Sequence, residues 1–145
     1  MRDTKGADRQ MPGAVTLIRS GTLADAAQYA YAATAPPEAR MIFLAGACPL
    51  NRDGTTAGIG DYAAQARKAM ENMCLALEAA GAGILDVIST RVLVASANRD
   101  DLLTAWKTVR EGFGDHDVPS TLIGVTVLGY RDQLVEIEAI AAVID

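Results

Sequence analysis

One segment near the C-terminus, residues 133–144, limits the possible folds of this chain more than any other. It reads QLVEIEAIAAVI and alternates in the manner of a β-strand that is apolar on both sides. Residues two apart share a face of a strand, so Val135, Ile137 and Ala139 point one way. The opposite face carries Leu134, Glu136, Glu138, Ile140 and Ala142. The segment therefore predicts an interior strand with two carboxylates on one otherwise apolar face.

The two glutamates require an explanation, because removing a carboxylate from water is unfavourable unless it is paired, neutralised or used in chemistry. A structural interpretation places each glutamate at solvent, at a subunit boundary, or beside an arginine or lysine. A functional interpretation makes one of them a catalytic or binding group. The residues alone leave both interpretations open for Glu136 and for Glu138.

The composition predicts a single globular domain. The chain has 145 residues, of which half are hydrophobic and 21% are charged. We expect residues 14–145 to form this domain and the polar residues 1–13 to be a flexible N-terminal segment. No apolar run approaches the roughly 18 residues of a membrane span, and no secretory signal is visible, so we expect a cytoplasmic protein without a membrane partner. The net charge of −5 argues against a nucleic-acid partner.

The two cysteines and the single histidine predict neither a disulfide, a metal site nor a nucleophilic triad. Cys48 precedes a proline in a loop pattern, and Cys74 lies within a helical pattern. We expect Cys74 to pack in the core and Cys48 to be the more exposed thiol. His116 lies between two aspartates and is predicted to be a solvated turn residue.

The predicted element order is β-β-β-α-β-α-β-β. The strands are expected at residues 14–19, 27–33, 40–46, 86–96, 120–128 and 133–144. The first helix is expected to begin after an N-cap at Asp61 and to end at Gly81, and the second is expected to open at Asn98. Because crossover connections are right-handed, both helices should lie on the same face of one sheet.

The other face of this sheet is expected to lack intramolecular cover. Two strands nevertheless carry apolar side chains on both sides, with Met41 and Phe43 opposite Ile42 and Leu44, and with Ile123 opposite Leu122. The simplest cover for an apolar face of this size is another copy of the chain. We therefore expect an obligate homo-oligomer with pockets between its subunits.

Three segments, taken together, resemble the RidA family, which is also called the YjgF/YER057c/UK114 family. The stretch FLAGACPLN at residues 43–51 is similar to the family's strand that ends in an SGQ-P-like turn. The stretch QARKAMENMCLALEAAG at residues 65–81 is similar to the family's helix pattern QxRxxxxNxxxxLxxAG. The stretch VEIEAIA at residues 135–141 matches the family's last strand residue for residue. The resemblance extends over nearly all of residues 27–144, and its specificity comes from the combination.

The resemblance implies an α+β protein with the chorismate-mutase-like (YjgF) fold. Such a protein has a six-stranded mixed sheet with two helices packed on one face, and it forms a homotrimer with ligand clefts between subunits. Characterised members hydrolyse reactive enamine and imine metabolites to a keto acid and ammonia, with no metal or organic cofactor. In that chemistry an arginine binds the substrate carboxylate, and a glutamate orients or activates the attacking water. The matching glutamate is Glu136, and the matching cleft tyrosine, on the second strand, is Tyr29.

At the arginine position the chain departs from the family pattern. The family's stretch P-A-R-[ST] is matched to residues 118–121, VPST, so that Ser120 replaces the arginine. A serine cannot neutralise a carboxylate, and losing this charge-assisted contact costs about 2–5 kcal/mol of binding. Arg91 and Arg131 are the candidates for a compensating cation. The expected substrate-binding residues are Tyr29, Ala45, Gly46, Ser120 and Thr121.

Three functions remain open from the sequence. The first is a hydrolase or deaminase for a metabolite without the usual carboxylate, in which the hydroxyls of Ser120 and Thr121 position a neutral group. The second is a non-catalytic trimer that binds a small metabolite. The third is the RNA-cleaving role attached to the family name, which the acidic charge of the chain argues against.

Overall fold

The computed structural model describes residues 13–26 and 28–145 of the chain. The predicted flexible segment therefore lies outside the described residues, apart from Gly13. The described residues form six strands and two α-helices in the expected order: β1 (Thr16–Ile18), β2 (Ala32–Thr34), β3 (Arg40–Phe43), α1 (Tyr62–Ala79), β4 (Val87–Ala95), α2 (Arg99–Phe113), β5 (Ser120–Val125) and β6 (Val135–Val143).

Four strands form a mixed sheet in the order β3-β6-β4-β5. Strand β6 is antiparallel to both of its neighbours, whereas β4 and β5 are parallel. A parallel pair requires a crossover connection, and α2 supplies it. Both helices contact each other and pack with one face of the sheet in a single hydrophobic core. The predicted α+β arrangement, two helices on one face of a mixed sheet, is confirmed.

The single six-stranded sheet expected from the resemblance is divided into two hydrogen-bonded parts. Strands β1 and β2 pair with each other over three residue pairs and form a separate ribbon. Pro36 and Pro37 follow β2, and their missing N–H groups end the pairing before β3 begins. The ribbon is attached instead near β5, where the backbone N–H of Ala30 donates to the carbonyl of Asp117 at 2.8 Å.

Both helices begin where the sequence predicts, and α1 ends two residues before the predicted Gly81. The Asp61 side chain accepts a hydrogen bond from the Ala64 N–H at the start of α1, and Asn98 caps α2 in the same way. Gly81 has a φ of 78° just after α1, a conformation that glycine adopts without steric cost. The buried stripe of α1 consists of Gln65, Ala66, Ala69, Met70, Met73 and Leu77.

The face of the sheet away from the helices is open, as the sequence predicts. We call it the open face; in β3 it presents Met41 and Phe43, which are 43% and 74% exposed. Ile42, between them, is buried toward the helices. No helix among residues 13–26 and 28–145 is long and apolar enough to cross a membrane.

The predictions for the two thiols and for His116 are wrong, because Cys74 is the more exposed thiol and Cys48 is half-buried against Glu136. Cys74 is exposed on α1, because it follows the buried Met73 by one residue and so points about 100° away from the apolar stripe. His116 is buried rather than solvated. Its ring packs near Phe113, and its Nε2 lies 2.7 Å from the carbonyl oxygen of Val87, which satisfies the polar edge of the ring.

Candidate functional site

Glu136 lies on the open face, in an interior strand of the sheet. Its neighbours Val135 and Ile137 point to the helices and are fully buried, so the alternation of β6 directs Glu136 the other way. Leu93 of β4 lies opposite it in register. The carboxylate is half-buried, so it is partly removed from water and still accessible to a small ligand.

Gly46, in the segment after β3, lies against the carboxylate of Glu136. A Cβ atom built on Gly46 would lie 2.8 Å from the Cδ of Glu136 and 3.0 Å from its Oε2. Carbon atoms that are not bonded do not approach this closely. A side chain at position 46 would therefore displace the carboxylate from this position, and the neighbouring Ala45 is exposed beside it.

Two polar side chains approach the other oxygen of the carboxylate. The thiol of Cys48 donates to Oε1 of Glu136 at 2.9 Å, and Nε2 of Gln133 donates to the same atom at 3.4 Å. Burial, together with the hydrogen bond to Glu136 and its negative charge, raises the pKa of Cys48 to about 12. Cys48 is therefore a protonated donor at neutral pH.

Two amide side chains of α1 hold the backbone on either side of this site. Nδ2 of Asn72 donates to the carbonyl of Cys48 at 2.8 Å and to that of Leu50 at 2.9 Å. The buried Gln65 donates to the carbonyl of Asp132 at 2.8 Å and accepts from the backbone N–H of Leu134 at 2.7 Å. Asn72 thus fixes the loop that carries Cys48, and Gln65 fixes the segment that enters β6.

Glu138, the second glutamate of β6, has a structural partner. Nε of Arg91 on β4 lies 3.5 Å from Oε2 of Glu138, and the two residues are in register across the sheet. Both side chains are about half exposed, so this ion pair contributes little to stability. Arg91 is engaged here, whereas Arg131 lines a separate groove of about 410 Å³ with Tyr130 and Asp132.

Tyr29, Ser120 and Thr121 lie together in a second place, a cavity of about 440 Å³ at the start of β5. Tyr29 precedes β2 instead of lying within it, and its ring meets the ring of Trp106 edge to face at 6.1 Å. Leu103 and Leu122 complete the apolar part of this wall. The predicted site residues thus form two separate groups. One group is Tyr29, Ser120 and Thr121 at this cavity, and the other is Glu136, Ala45 and Gly46.

The two hydroxyl residues of β5 lie on opposite faces of the sheet. Ser120 pairs in register with the buried Thr90, and their side-chain oxygens lie 2.6 Å apart. Ser120 also donates to the carbonyl of Val118 at 2.8 Å, so it is engaged on the helix side. Thr121 pairs in register with Arg91 and lies on the open face, as Glu136 does. Thr121 is therefore the hydroxyl that shares a face with the carboxylate.

Sequence reasoning missed Cys48 and Gln133 as neighbours of Glu136. The contact from Cys48 joins residues 88 positions apart, so no local pattern indicates it. The position of Gln133 could have indicated its role. It lies three residues before Glu136 at the start of a buried strand, where a side-chain amide needs hydrogen-bond partners.

A family model described as endoribonuclease L-PSP matches residues 21–143. The 2-iminobutanoate/2-iminopropanoate deaminase of Escherichia coli K12 is 34% identical over 103 residues, which cover 70% of this chain and 78% of the relative. A RutC family protein of Pyrococcus horikoshii is 34% identical over 101 residues, with the same coverage of both chains.

Solved structures show the same fold. A Rid family protein of unknown function from Yersinia pestis superposes with a TM-score of 0.82 at 25% identity, covering 90% of this chain and 99% of the other. The YjgF gene product of Escherichia coli gives a TM-score of 0.61 at 28% identity, covering 86% and 91%. The match over residues 21–143, together with these relatives, shows that the chain belongs to the RidA (YjgF/YER057c/UK114) family.

Proposed function

We propose that this protein hydrolyses the C=N bond of a small imine, or of the imine tautomer of an enamine, to a carbonyl compound and ammonia. The observation that carries the proposal is the carboxylate of Glu136, which is held against Gly46 on the open face by hydrogen bonds to one of its oxygens. Membership of the family that includes the Escherichia coli deaminase supports the reaction class.

In the proposed reaction Glu136 is the general base. It takes a proton from a water molecule as the water oxygen attacks the imine carbon, and the protonated carboxyl passes this proton to the nitrogen, which gives a neutral carbinolamine. Glu136 then takes the second proton from the hydroxyl oxygen and passes it to the nitrogen. The C–N bond breaks, ammonia leaves, and the carbonyl forms. Water and imine are consumed in equal amounts, and the reaction involves no oxidation or reduction.

The proposed substrate lacks the carboxylate of the usual 2-imino acids. Among residues 13–26 and 28–145, none of the five ion pairs places an arginine or lysine beside Glu136. Arg91, a candidate to bind a substrate carboxylate, is paired with Glu138. If Pro119 is matched to the proline of the P-A-R-[ST] stretch, the arginine position falls on Thr121 instead of Ser120. Because Thr121 shares the open face with Glu136, we adopt this match. Either match replaces a guanidinium with a neutral hydroxyl, which favours a neutral or cationic imine.

The proposal includes assembly into a homotrimer through the open face. Phe43 and Met41 are too exposed for core residues, and an apolar patch of this kind on a half-buried sheet fits an obligate interface. Within one chain, Glu136 on β6 and Thr121 on β5 are separated by β4. A neighbouring subunit seated on the open face would close a cleft over Glu136.

The direct test is a screen for ammonia release from imines generated in situ by an amino-acid oxidase or a dehydratase. We expect turnover of neutral and cationic imines and weak turnover of 2-iminobutyrate. Glu136→Gln should lower turnover at least 100-fold, because the amide cannot accept the proton from water. If the screen finds ligands that bind with unchanged affinity in Glu136→Gln, and no turnover by the native protein, the protein is a binding module instead.

A further inference from the structure

The two oxygens of the Glu136 carboxylate are in different surroundings. Oε1 accepts from the thiol of Cys48 and from the amide of Gln133. Oε2 lies over Gly46, and among the described residues no side chain donates to it. An unpaired carboxylate oxygen in a half-buried position is the better acceptor for a proton from water, since its lone pairs are not already shared.

The orientation of Gln133 is fixed by the backbone around it. The residue is only 4% exposed, and its side-chain Oε1 accepts from the backbone N–H of Tyr130 at 3.1 Å. The amide nitrogen must therefore point the other way, where it donates to the carbonyl of Val135 at 3.2 Å and to Glu136. Gln133 cannot turn its oxygen toward the carboxylate without leaving the Tyr130 N–H unpaired.

We propose that Cys48 and Gln133 are positioning residues that hold Oε1 of Glu136, so that Oε2 is the atom that takes the proton from the attacking water. This inference rests on the proposed hydrolysis. It assigns Cys48 a role as a neutral donor that touches the catalytic carboxylate, not as a nucleophile.

The surroundings of Cys48 support this role. Burial and the adjacent carboxylate keep the thiol protonated far above neutral pH, with a pKa of about 12, whereas a nucleophilic cysteine needs a lowered pKa. The ionic groups on this face of the neighbouring strands are Arg91 of β4 and Glu138 of β6, which pair with each other. Among the described residues, no cation lies beside Cys48 to favour a thiolate.

The kinetic test uses the imine that the screen identifies. Cys48→Val keeps the volume of the side chain and removes the donor, and we expect kcat to fall about tenfold while KM stays within twofold. Cys48→Ser restores a donor and should recover kcat to within about threefold of the native value. Gln133→Met should lower kcat about threefold, because its hydrogen bond is longer. Cys74→Val, at the exposed thiol of α1, is the matched control and should change nothing.

These variants separate positioning from packing. A structural role for Cys48 predicts that the isosteric Cys48→Val is harmless and that the smaller, more polar Cys48→Ser is the damaging change. That order of activities, or a native kcat in Cys48→Val, would overturn the proposal.

A second test needs no substrate. In Cys74→Ser protein, Cys48 is the only thiol of the chain, so its ionisation can be followed by the rate of alkylation against pH. We expect alkylation at pH 8 to 10 to be slower than that of a free cysteine, and to become faster when Glu136→Gln removes the negative charge. An unchanged titration would refute the coupling even in an active enzyme. A coupled thiol in a protein that hydrolyses no imine would instead contradict the proposed function.

Discussion

Three contacts fix the Glu136 side chain, and each has a different physical origin. Gly46 leaves space for the carboxylate because it has no Cβ, whereas Cys48 and Gln133 hold Oε1 with hydrogen bonds. A base fixed in this way needs no reorganisation when water attacks. The reactivity of the proposed site therefore depends on three neighbours that do not themselves react.

Gly46→Ala tests the steric contact. The new Cβ would overlap Cδ of Glu136, so the carboxylate must move and kcat/KM should fall at least tenfold. Urea unfolding should show a loss of less than about 1.5 kcal/mol, because the half-buried Glu136 side chain can turn away from the new Cβ. Gly129→Ala is the control, since a Cβ there meets nothing within 4 Å. Full activity in Gly46→Ala would show that Glu136 does not act from this position.

Two arginine substitutions on β5 test which residue stands at the family's arginine position. Thr121→Arg places a guanidinium on the open face and should raise turnover of 2-iminobutyrate at least tenfold. Ser120→Arg directs the charge toward the helices, beside the buried Thr90, and should destabilise the protein by about 3 kcal/mol or more without this gain. Ammonia release and urea unfolding, measured on both variants, show whether Thr121 or Ser120 stands at the arginine position. A gain in Ser120→Arg alone would reverse the assignment.

The raised pKa of Cys48 predicts a loss of stability at alkaline pH. The folded protein holds the thiol proton up to about pH 12, whereas the unfolded chain releases it near pH 9. Between these values the unfolded state binds fewer protons, so the free energy of unfolding falls as pH rises. Cys48→Val should remove this part of the loss. Urea midpoints of both proteins at pH 8, 9, 10 and 11 provide the measurement, and parallel curves would contradict the prediction.

At the scale of elements, helix α1 connects the core to the site. Its apolar stripe packs against the sheet, and its two amides, Gln65 and Asn72, hold the backbone on either side of Glu136. Side chains seven residues apart lie on the same side of a helix, two turns apart. One helix face thus positions both the loop after β3 and the start of β6.

Gln65→Leu tests this connection. The substitution removes the partners of the Leu134 N–H and the Asp132 carbonyl, and it should cost about 2–4 kcal/mol of the free energy of unfolding. Arg67→Ala, on the exposed side of the same helix, should change it by less than 0.5 kcal/mol. Equal urea midpoints for the two variants would show that the buried amide does not hold the entry to β6.

Local sequence patterns predicted the helices and strands. Contacts between residues far apart in the chain could not be predicted in this way. The caps at Asp61 and Asn98 and the alternation around Glu136 are local signals, and the structure agrees with each of them. The contact between Cys48 and Glu136 joins distant parts of the chain, so only the folded sheet shows it. His116 was misplaced for the same reason, since its partner Val87 is 29 residues away.

At the scale of the whole molecule, the open face of the sheet is left uncovered in a single chain. Its apolar side chains would be costly in water, and the proposed trimer removes them from it. Phe43→Lys should therefore reduce the molar mass in light scattering toward that of one chain, 15.2 kDa. Leu75→Lys, an equally drastic change on the exposed side of α1, should leave the assembly intact. A native protein that is monomeric at micromolar concentration would contradict the interface.

The central claim is that Glu136 is the base for imine hydrolysis on this open face. The most direct measurement is the rate of ammonia release from a panel of neutral, cationic and carboxylate-bearing imines, compared between the native protein and Glu136→Gln at equal concentration. We predict turnover that favours imines without a carboxylate and that falls at least 100-fold in the variant. Turnover that is equal in the two proteins, or a preference for 2-imino acids, would contradict this account.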